Sequence, residues 1–365
     1  MDPSLNQLSS YRPLTLTISL MAQNQNVSNN PISELPKDNA IAFVKDFIQI
    51  LSVSAPGNKL IGIDALLEKH GYKEQGLDVK SDNMTLLLKK LEDGVARAVV
   101  GDASQTKQSA LARTLSAQLG DIRSEIRNQS LYSKNAAAPL TATATAMLRE
   151  EAEFAELSTG TSYAEMWLRI AIFIGEVKDE YVDFYAELMQ KYTEMYESFN
   201  ENVQKASSDA ISTGDDGNNV AFDTRKMQAG YNAFENDVNR LNNELGSVKG
   251  WNSMTDDQKK KEKLILEPAF SVDDRTGKIS FNMSQYNTVS GTYPSGIKNG
   301  KVSTASYQAW LATFNSAGNA FQSNMQSFAQ RYSQANNSFD TLNKILSSAI
   351  SSTSDSAREC IRAWG

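Results

Sequence analysis

A long heptad pattern of apolar residues occupies the C-terminal part of the chain, from Tyr307 to Ala349. Apolar residues that alternate by threes and fours face one side of a helix and are typical of a coiled coil. Six or so heptads, at roughly 1.5 Å per residue, predict a rod on the order of 65 Å, too long to pack only on a compact domain. One heptad position holds Leu311, Gly318, Met325, Tyr332, Phe339 and Leu346, and the other holds Tyr307, Phe314, Phe321, Phe328, Ala335, Leu342 and Ala349.

A second long helix with a similar stripe is predicted to be the partner of this rod. It begins near Ser162, which forms a capping box with Glu165, and it ends before Gly214. Its apolar residues are spaced by three and four positions, and after Leu188 the apolar face shifts to adjacent heptad positions. Its residues are Trp167, Ile170, Ile174, Val177, Tyr181, Phe184 and Leu188, followed by Tyr185, Tyr192, Met195 and Phe199.

The segment between the two long helices is predicted to form a small α/β insertion. A turn-rich block at 212–219 precedes an amphipathic helix that Asp223 opens. Apolar residues alternate in 278–283, and the turn sequence 273–277 separates them from 269–272, which favours a β-hairpin. A Gly, Pro and Asn-rich loop at 291–300 leads into the final helix. The helix stripe comprises Met227, Tyr231, Phe234, Val238, Leu241, Leu245 and Val248.

The N-terminal part shows shorter helical patterns. Residues 1–38 are rich in Ser, Asn, Gln and Pro, which predicts a disordered leader, and 39–158 predicts a helical hairpin or small bundle. Pro139 and the Thr/Ala-rich run after Asn135 favour a linker. The predicted fold is therefore mainly α: a long intramolecular antiparallel coiled coil (162–210 and 303–352), an N-terminal helical hairpin, an insertion at 211–302 and a tail at 353–365.

The amino-acid composition argues against several classes of binding partner and against a membrane-spanning segment. The net charge of −7 argues against nucleic acid or an anionic membrane surface, because both require clustered Lys and Arg. No uncharged apolar run approaches the roughly 18 to 20 residues needed to cross a bilayer. The N-terminus shows neither a basic region nor a small-residue cleavage site, so we expect any export to use a route other than a cleaved secretory signal.

No motif supports catalysis, a cofactor or a metal. His70 is the only histidine and lies near a helix end, where contact with solvent and with the helix dipole is the expected role. Cys360 is the only cysteine, so no internal disulfide can form. The segment 291–299 nearly spells a phosphate-binding loop, but its Lys298 is one place late. The acidic turn at 215–219 lacks the ligand spacing of a calcium loop, and the basic run 259–263 favours a solvated helix face.

Several segments resemble one protein family. The segments 307–310, 330–340 and 342–352 are similar to the C-terminal signature of the needle-tip proteins of type III secretion systems, the IpaD/SipD/BipD family. The segments 164–167 and 192–196, with Tyr181, Tyr185 and Phe199, resemble the first coil helix of that family, and 214–220 resembles its exit loop. The resemblance covers roughly the last 200 residues, whereas the N-terminal half matches only in organisation.

The resemblance implies a secreted virulence protein at the bacterial surface that caps the needle as a ring of about five copies. It implies control of secretion until host contact, and partners comprising the needle protein, further copies of the chain and the hydrophobic translocators. Because the coil buries its own seam, its polar face near the C-terminal end is the predicted surface for needle or tip subunits. The residues predicted for that surface are Asn336, Asn337, Asp340, Lys344, Ser347 and Ser351.

Two alternatives stay open from the sequence. Some members of the resembled family bind bile salts beside the coil, and Tyr307, Trp310 and Phe314 could line such a cleft, although core packing is the more economical role for these aromatic residues. An intracellular coiled-coil adaptor or chaperone that is not exported would also lack a cleaved signal. Dependence of secretion on a type III apparatus and on the first few dozen residues separates a needle-tip protein from this intracellular adaptor or chaperone.

Overall fold

The computed structural model describes residues 42–43, 46–47, 59–72, 82–100, 105–154, 170, 172, 174–175, 177–178, 182–213 and 218–364. The predicted leader, the capping residue Ser162, the seam residue Trp167 and most of the acidic turn at 215–219 lie outside these residues. The described part of the chain is mainly helical, with a few short strands, as the sequence predicts.

Two long helical segments form the coiled coil. The first contains helix α4 (Asp183–Ser198), a π-helical segment (Phe199–Gln204) and helix α5 (Lys205–Asp209), and the second is helix α9 (Thr304–Trp364). Every described member of the two heptad series in α9 is buried, except for the partly buried Leu311. Tyr185 and Phe328 pack edge to face across the coil, with ring centroids 5.9 Å apart. The predicted intramolecular pairing is confirmed.

Helix α9 continues beyond the heptad pattern, to Trp364. The predicted tail at 353–365 is therefore helical almost to its end. No Gly or Pro occurs between Ile350 and Trp364, so the sequence offers no residue that would stop the helix.

The π-helical segment is a feature that the stripe pattern did not predict. A π turn holds one more residue than an α turn, so neighbouring residues can both face inward. Ser198, Phe199 and Asn200 are consecutive and all buried, at 8%, 0% and 0% exposure. The wide turn thus rotates the buried face of the first coil helix, so that the residues after it face the insertion.

The N-terminal part contains helices α1 (Lys59–Lys69), α2 (Asp82–Val100) and α3 (Gln105–Phe154). Helices α2 and α3 pack as the predicted hairpin, and Asn83 Nδ2 donates to Glu125 Oε2 at 2.7 Å between them. The predicted linker after Asn135 is wrong, because α3 runs continuously through Pro139 to Phe154. An interior proline removes one backbone hydrogen bond and crowds the carbonyl four residues before it, but alanine is the strongest helix former, so an Ala-rich run can stay helical around it.

A three-stranded antiparallel sheet closes the insertion end of the coil. Strand β1 (Ile211–Thr213) follows α5, strand β2 (Asn219–Phe222) pairs with it, and β5 (Lys301–Ser303) pairs with β2 immediately before α9. Ile211 lies opposite Phe222, and Val220 lies opposite Val302. The sheet therefore ties together the ends of the two coil helices.

The insertion is built on helix α6 (Thr224–Glu244), which Asp223 caps by accepting from Arg225 N at 2.9 Å. It continues with a 3₁₀ turn (Trp251–Ser253), helix α7 (Asp256–Leu266), strands β3 (Phe270–Val272) and β4 (Ile279–Phe281), and the short helix α8 (Ser284–Asn287). The hairpin prediction is confirmed: β3 and β4 pair antiparallel, with Phe270 opposite Phe281.

Two sets of contacts hold the insertion on the coil. Phe321 of α9 lies at the centre of an aromatic cluster with Phe199, Phe234 and Tyr286, at centroid distances of 5.1, 6.2 and 6.4 Å. The guanidinium of Arg331 donates to the backbone carbonyls of Leu264, Ile265 and Glu267, at the C-terminal end of α7. A cation suits this position because the last carbonyls of a helix lack partners within the helix.

Candidate interaction surface

The predicted surface lies on α9 beyond Arg331, where the helix packs on the first coil helix and on the N-terminal hairpin. One side of this stretch is apolar and buried, and its members are Tyr332, Ala335, Phe339, Leu342, Ile345 and Leu346. Burial raises the pKa of the Tyr332 hydroxyl to about 12. The functional candidates are the polar residues between these positions.

Four of the predicted residues form one stripe. Asn337, Asp340, Lys344 and Ser347 are all partly exposed and follow each other at steps of three, four and three, which places them on one helix face. Asp340 and Lys344 form an ion pair at 3.0 Å, with side-chain exposures of 33% and 41%. The side chain of Ser351 lies outside the described residues, although its position continues the same spacing.

Asn336 has a different environment. Its Nδ2 atom donates to Oε1 of Gln129, on helix α3 of the N-terminal hairpin, at 3.5 Å. The polar face predicted to be free is therefore covered by the hairpin at this point. The sequence could not show this, because the hairpin and α9 are about two hundred positions apart.

Further polar contacts join the hairpin to the coil. Gln326 Nε2 on α9 donates to Glu92 Oε2 on α2 at 3.2 Å, and Arg123 on α3 pairs with Glu197 on α4. Ser130 Oγ also lies 3.5 Å from Asp183 Oδ1. Partly exposed polar pairs of this kind contribute little to stability.

Buried polar residues in the same stretch of α9 were missed by the heptad pattern. Ser338, Thr341 and Asn343 are buried at 8%, 9% and 5% exposure, and neither side-chain polar atom of Asn343 has a hydrogen-bond partner. Heptad positions next to a two-helix seam are normally solvated. Their burial arises because more than one helix packs on α9, which no local spacing reveals.

The three residues predicted for a bile-salt cleft are buried in the core. Tyr307, Trp310 and Phe314 have exposures of 1%, 7% and 1%, and Trp310 packs edge to face on Phe222 at 5.4 Å. Trp310 Nε1 donates to Thr292 Oγ1 at 3.2 Å. In this conformation the three side chains fill the space between the coil and the sheet, and a ligand there stays a prediction.

The single histidine makes a structural contact instead of the expected contact with solvent. His70 Nε2 lies 2.9 Å from Asp46 Oδ2, and its ring packs on Phe43 at 5.3 Å. Hydrogen bonds from Lys69 and His70 lower the pKa of Asp46. The described residues include no cluster of His, Cys, Asp and Glu that could hold a metal ion. Among the helices they form, none has the length and apolar character to cross a membrane.

Known proteins are similar to this chain in sequence and in architecture. Invasin IpaD of Shigella flexneri is 27% identical over 349 residues, which cover 94% of this chain and 96% of that protein. Cell invasion protein SipD of Salmonella typhi is 26% identical over 233 residues, or 60% of this chain and 67% of that protein. Translocator protein BipD of Burkholderia thailandensis is 28% identical over 183 residues, or 50% of this chain and 54% of that protein.

A solved structure of BipD from Burkholderia pseudomallei shows the same fold, with a TM-score of 0.50 at 24% identity over 66% of this chain and 81% of that chain. The family described as type III secretion systems tip complex components matches residues 23–262 and 283–361. These two segments contain the hairpin, both coil helices and most of the insertion. The chain therefore belongs to the family of type III secretion system tip complex components.

Proposed function

We propose that this protein caps the extracellular needle of a type III secretion system, as a ring of about five copies. It restrains secretion until host contact and then helps the hydrophobic translocator proteins to insert. The observation that carries this proposal is the family match over residues 23–262 and 283–361, which spans the whole coil and the hairpin packed on it. The protein reaches the needle tip by secretion through the same system.

The stripe of Asn337, Asp340, Lys344 and Ser347 is the proposed contact for needle or neighbouring tip subunits. A helix of the needle protein can lie along it, since residues at steps of three and four form one continuous face. Such a helix would meet Asn336 at the edge of the stripe, where it competes with Gln129 of α3. Assembly at this edge therefore requires a shift of the hairpin.

Electron microscopy of isolated needles tests the capping role. Needles from cells that produce the protein are expected to carry an added density at the tip, and needles from a deletion strain are expected to lack it. Identical bare tips in both samples would overturn the proposal. A secretion assay tests the alternative of an intracellular adaptor: the protein should appear in the medium only with an intact apparatus and with its first few dozen residues.

Substitutions in the stripe test the contact separately. The double variant Asn337→Ala/Lys344→Ala is expected to weaken binding to purified needle protein about tenfold, because it removes both an amide and a cation from the proposed contact. Asn319→Ala is the matched control, since Asn319 is exposed on the same helix but lies near the insertion. If the two variants bound needle protein equally well, the stripe would not be part of the interface.

A further inference from the structure

We propose that a polar cleft in the insertion binds an oligosaccharide that carries a carboxylate group. The cleft has a volume of about 530 Å³ and lies between the C-terminal half of helix α6 and the turn that joins β3 to β4. All eight residues that line it have polar side chains. It is separate from Tyr307, Trp310 and Phe314 and from the stripe on α9.

Helix α6 carries a row of asparagines that leads into the cleft. Asn232, Asn236, Asn239 and Asn243 are all exposed and follow each other at steps of four, three and four. Asparagine is one of the weaker helix formers, so neither packing nor helix propensity accounts for four of them on a solvent-facing stripe. Within the described part of the chain, the side chains of Asn236, Asn239 and Asn243 make no hydrogen bond.

Two lining residues hold the walls of the cleft. Asn242 Oδ1 accepts from Phe281 N at 2.9 Å, which fixes α6 against β4. Asp273 Oδ1 accepts from Thr276 N at 2.7 Å and from Thr276 Oγ1 at 2.6 Å, which shapes the turn. These hydrogen bonds lower the pKa of Asp273, so its carboxylate is ionised at neutral pH. These hydrogen bonds therefore fix both sides of the cleft before any ligand binds.

The two cations of the lining are available to a ligand. Arg275 and Lys278 are exposed, and neither forms an ion pair with another described residue. The neighbouring Asp274 is already paired with Lys263. With Asp273 as the one carboxylate in the lining, the cleft holds a surplus of one positive charge. That surplus matches a ligand with a single negative charge.

These groups select the chemistry of the ligand. An asparagine amide offers a donor and an acceptor side by side, which suits neighbouring hydroxyl groups of a sugar. A guanidinium can bind a carboxylate through two parallel hydrogen bonds. None of the lining residues is aliphatic or aromatic, so the cleft has no large apolar side chain against which a sterol or an acyl chain could pack and no ring on which a nucleotide base could stack. A sugar acid offers hydroxyl groups to the asparagine amides and a carboxylate to the two cations.

Isothermal titration calorimetry of the full chain with sialyllactose tests the proposal, with lactose as the neutral probe. We expect sialyllactose to bind and lactose to bind at least tenfold more weakly. The variant Arg275→Ala/Lys278→Ala should lose at least tenfold in affinity for sialyllactose. The variant Asn239→Ala/Asn243→Ala should weaken binding of both sugars by a smaller factor, since it leaves the cations in place.

Arg225→Ala is the matched control, because Arg225 is exposed on the same helix and far from the cleft along it. An oligosaccharide of hyaluronan distinguishes a uronic acid from a sialic acid as the source of the carboxylate. The proposal is overturned if neither acidic sugar binds, if lactose binds equally well, or if Arg275→Ala/Lys278→Ala binds like the unaltered chain. The measurement uses purified protein, so its outcome is independent of needle capping.

Discussion

Glu262 is a carboxylic acid held inside the insertion, at 5% exposure, and its Oε1 atom has no hydrogen-bond partner. Burial raises the pKa of Glu262 to about 7, because the charged form loses its hydration. Glutamate is a good helix former, so helix propensity explains why a glutamate can occupy this position. Helix propensity does not explain why the side chain points inward. Its inward orientation is decided by the packing of α7.

Replacement of Glu262 by Gln should change how stability depends on pH. The folded state keeps the proton up to about pH 7, whereas the unfolded chain releases it near 4.5. The stabilisation is therefore complete below pH 4.5 and is lost as the pH rises through 7, by up to about 3 kcal/mol. We expect Glu262→Gln to gain stability relative to the unaltered chain between pH 5 and pH 8 in urea unfolding.

The matched control for this substitution is Glu267→Gln, one residue beyond the same helix and exposed. It should leave the difference between pH 5 and pH 8 unchanged. If the free-energy difference between Glu262→Gln and the unaltered chain were the same at both pH values, burial of Glu262 would not control this dependence.

Gly230 lies where α6 closely approaches the first coil helix. A Cβ atom added there would lie 2.6 Å from the backbone oxygen of Asn202 and 2.4 Å from Cβ of Ala206. We expect Gly230→Ala to cost about 1–3 kcal/mol, because backbone cannot move aside as a flexible side chain can. The measurement is the midpoint of urea unfolding.

Gly120→Ala is the opposite case on helix α3, where an added Cβ would meet no atom within 4 Å. Alanine should stabilise the chain there by about 0.5–1 kcal/mol, because glycine is a poor residue in a helix interior. A stabilising Gly230→Ala would show that α6 packs less closely than the structure indicates.

At the scale of elements, helix α7 depends on a residue from a different part of the fold. Arg331 of α9 contacts three carbonyls at its C-terminal end, while Thr255 and Gln258 form a capping box at its N-terminal end. The capping box can be recognised in the sequence because it is local. The contact with Arg331 spans more than sixty positions, so no local pattern predicts it.

Substitution of Arg331 by Ala should loosen α7 without unfolding the coil. Hydrogen bonds from a charged donor contribute about 1.5–3 kcal/mol, and their loss leaves carbonyls at the helix end without partners. We expect faster hydrogen exchange at the amides of α7 and unchanged exchange in the heptad seam. Arg225→Ala, at a residue whose side chain is 93% exposed, should leave the exchange of α7 unaltered. Uniformly faster exchange over the whole chain would contradict a local role.

At the scale of the whole molecule, the coil and the insertion share one apolar core. Phe321 of α9 lies 6.0 Å from the ring of Tyr196 on α4 and 6.2 Å from that of Phe234 on α6. The sheet of β1, β2 and β5 also joins both coil ends to the insertion. Because the two parts share a core, we expect the coil and the insertion to unfold together.

Replacement of Phe321 by Ala should therefore lower the stability of both parts by about 3–5 kcal/mol. We expect the loss of helical circular dichroism and the change in tryptophan fluorescence to shift together to lower urea concentration. Leu86→Ala is the control, since Leu86 is 50% exposed on α2 and should change the midpoint little. A shift in only one of the two signals would indicate that the insertion unfolds separately.

The sequence by itself determined the coiled coil, the hairpin of β3 and β4, and the inward face of α6. Each depends on residues close together in the chain, whose spacing matches the period of a helix or a strand. The family resemblance came from the same local segments. The polar stripe from Asn337 to Ser347 was predictable in the same way, because it consists of helix positions that the apolar heptad positions leave outside the seam.

Tertiary structure alone decided what meets those surfaces. It placed Gln129 on Asn336, buried Asn343 and Glu262, and brought Arg331 to the end of α7. It also joined the asparagines of α6 to the cations of the β3–β4 turn in one cleft. These contacts join residues tens to hundreds of positions apart, and they form only when the helices pack, so no local spacing encodes them.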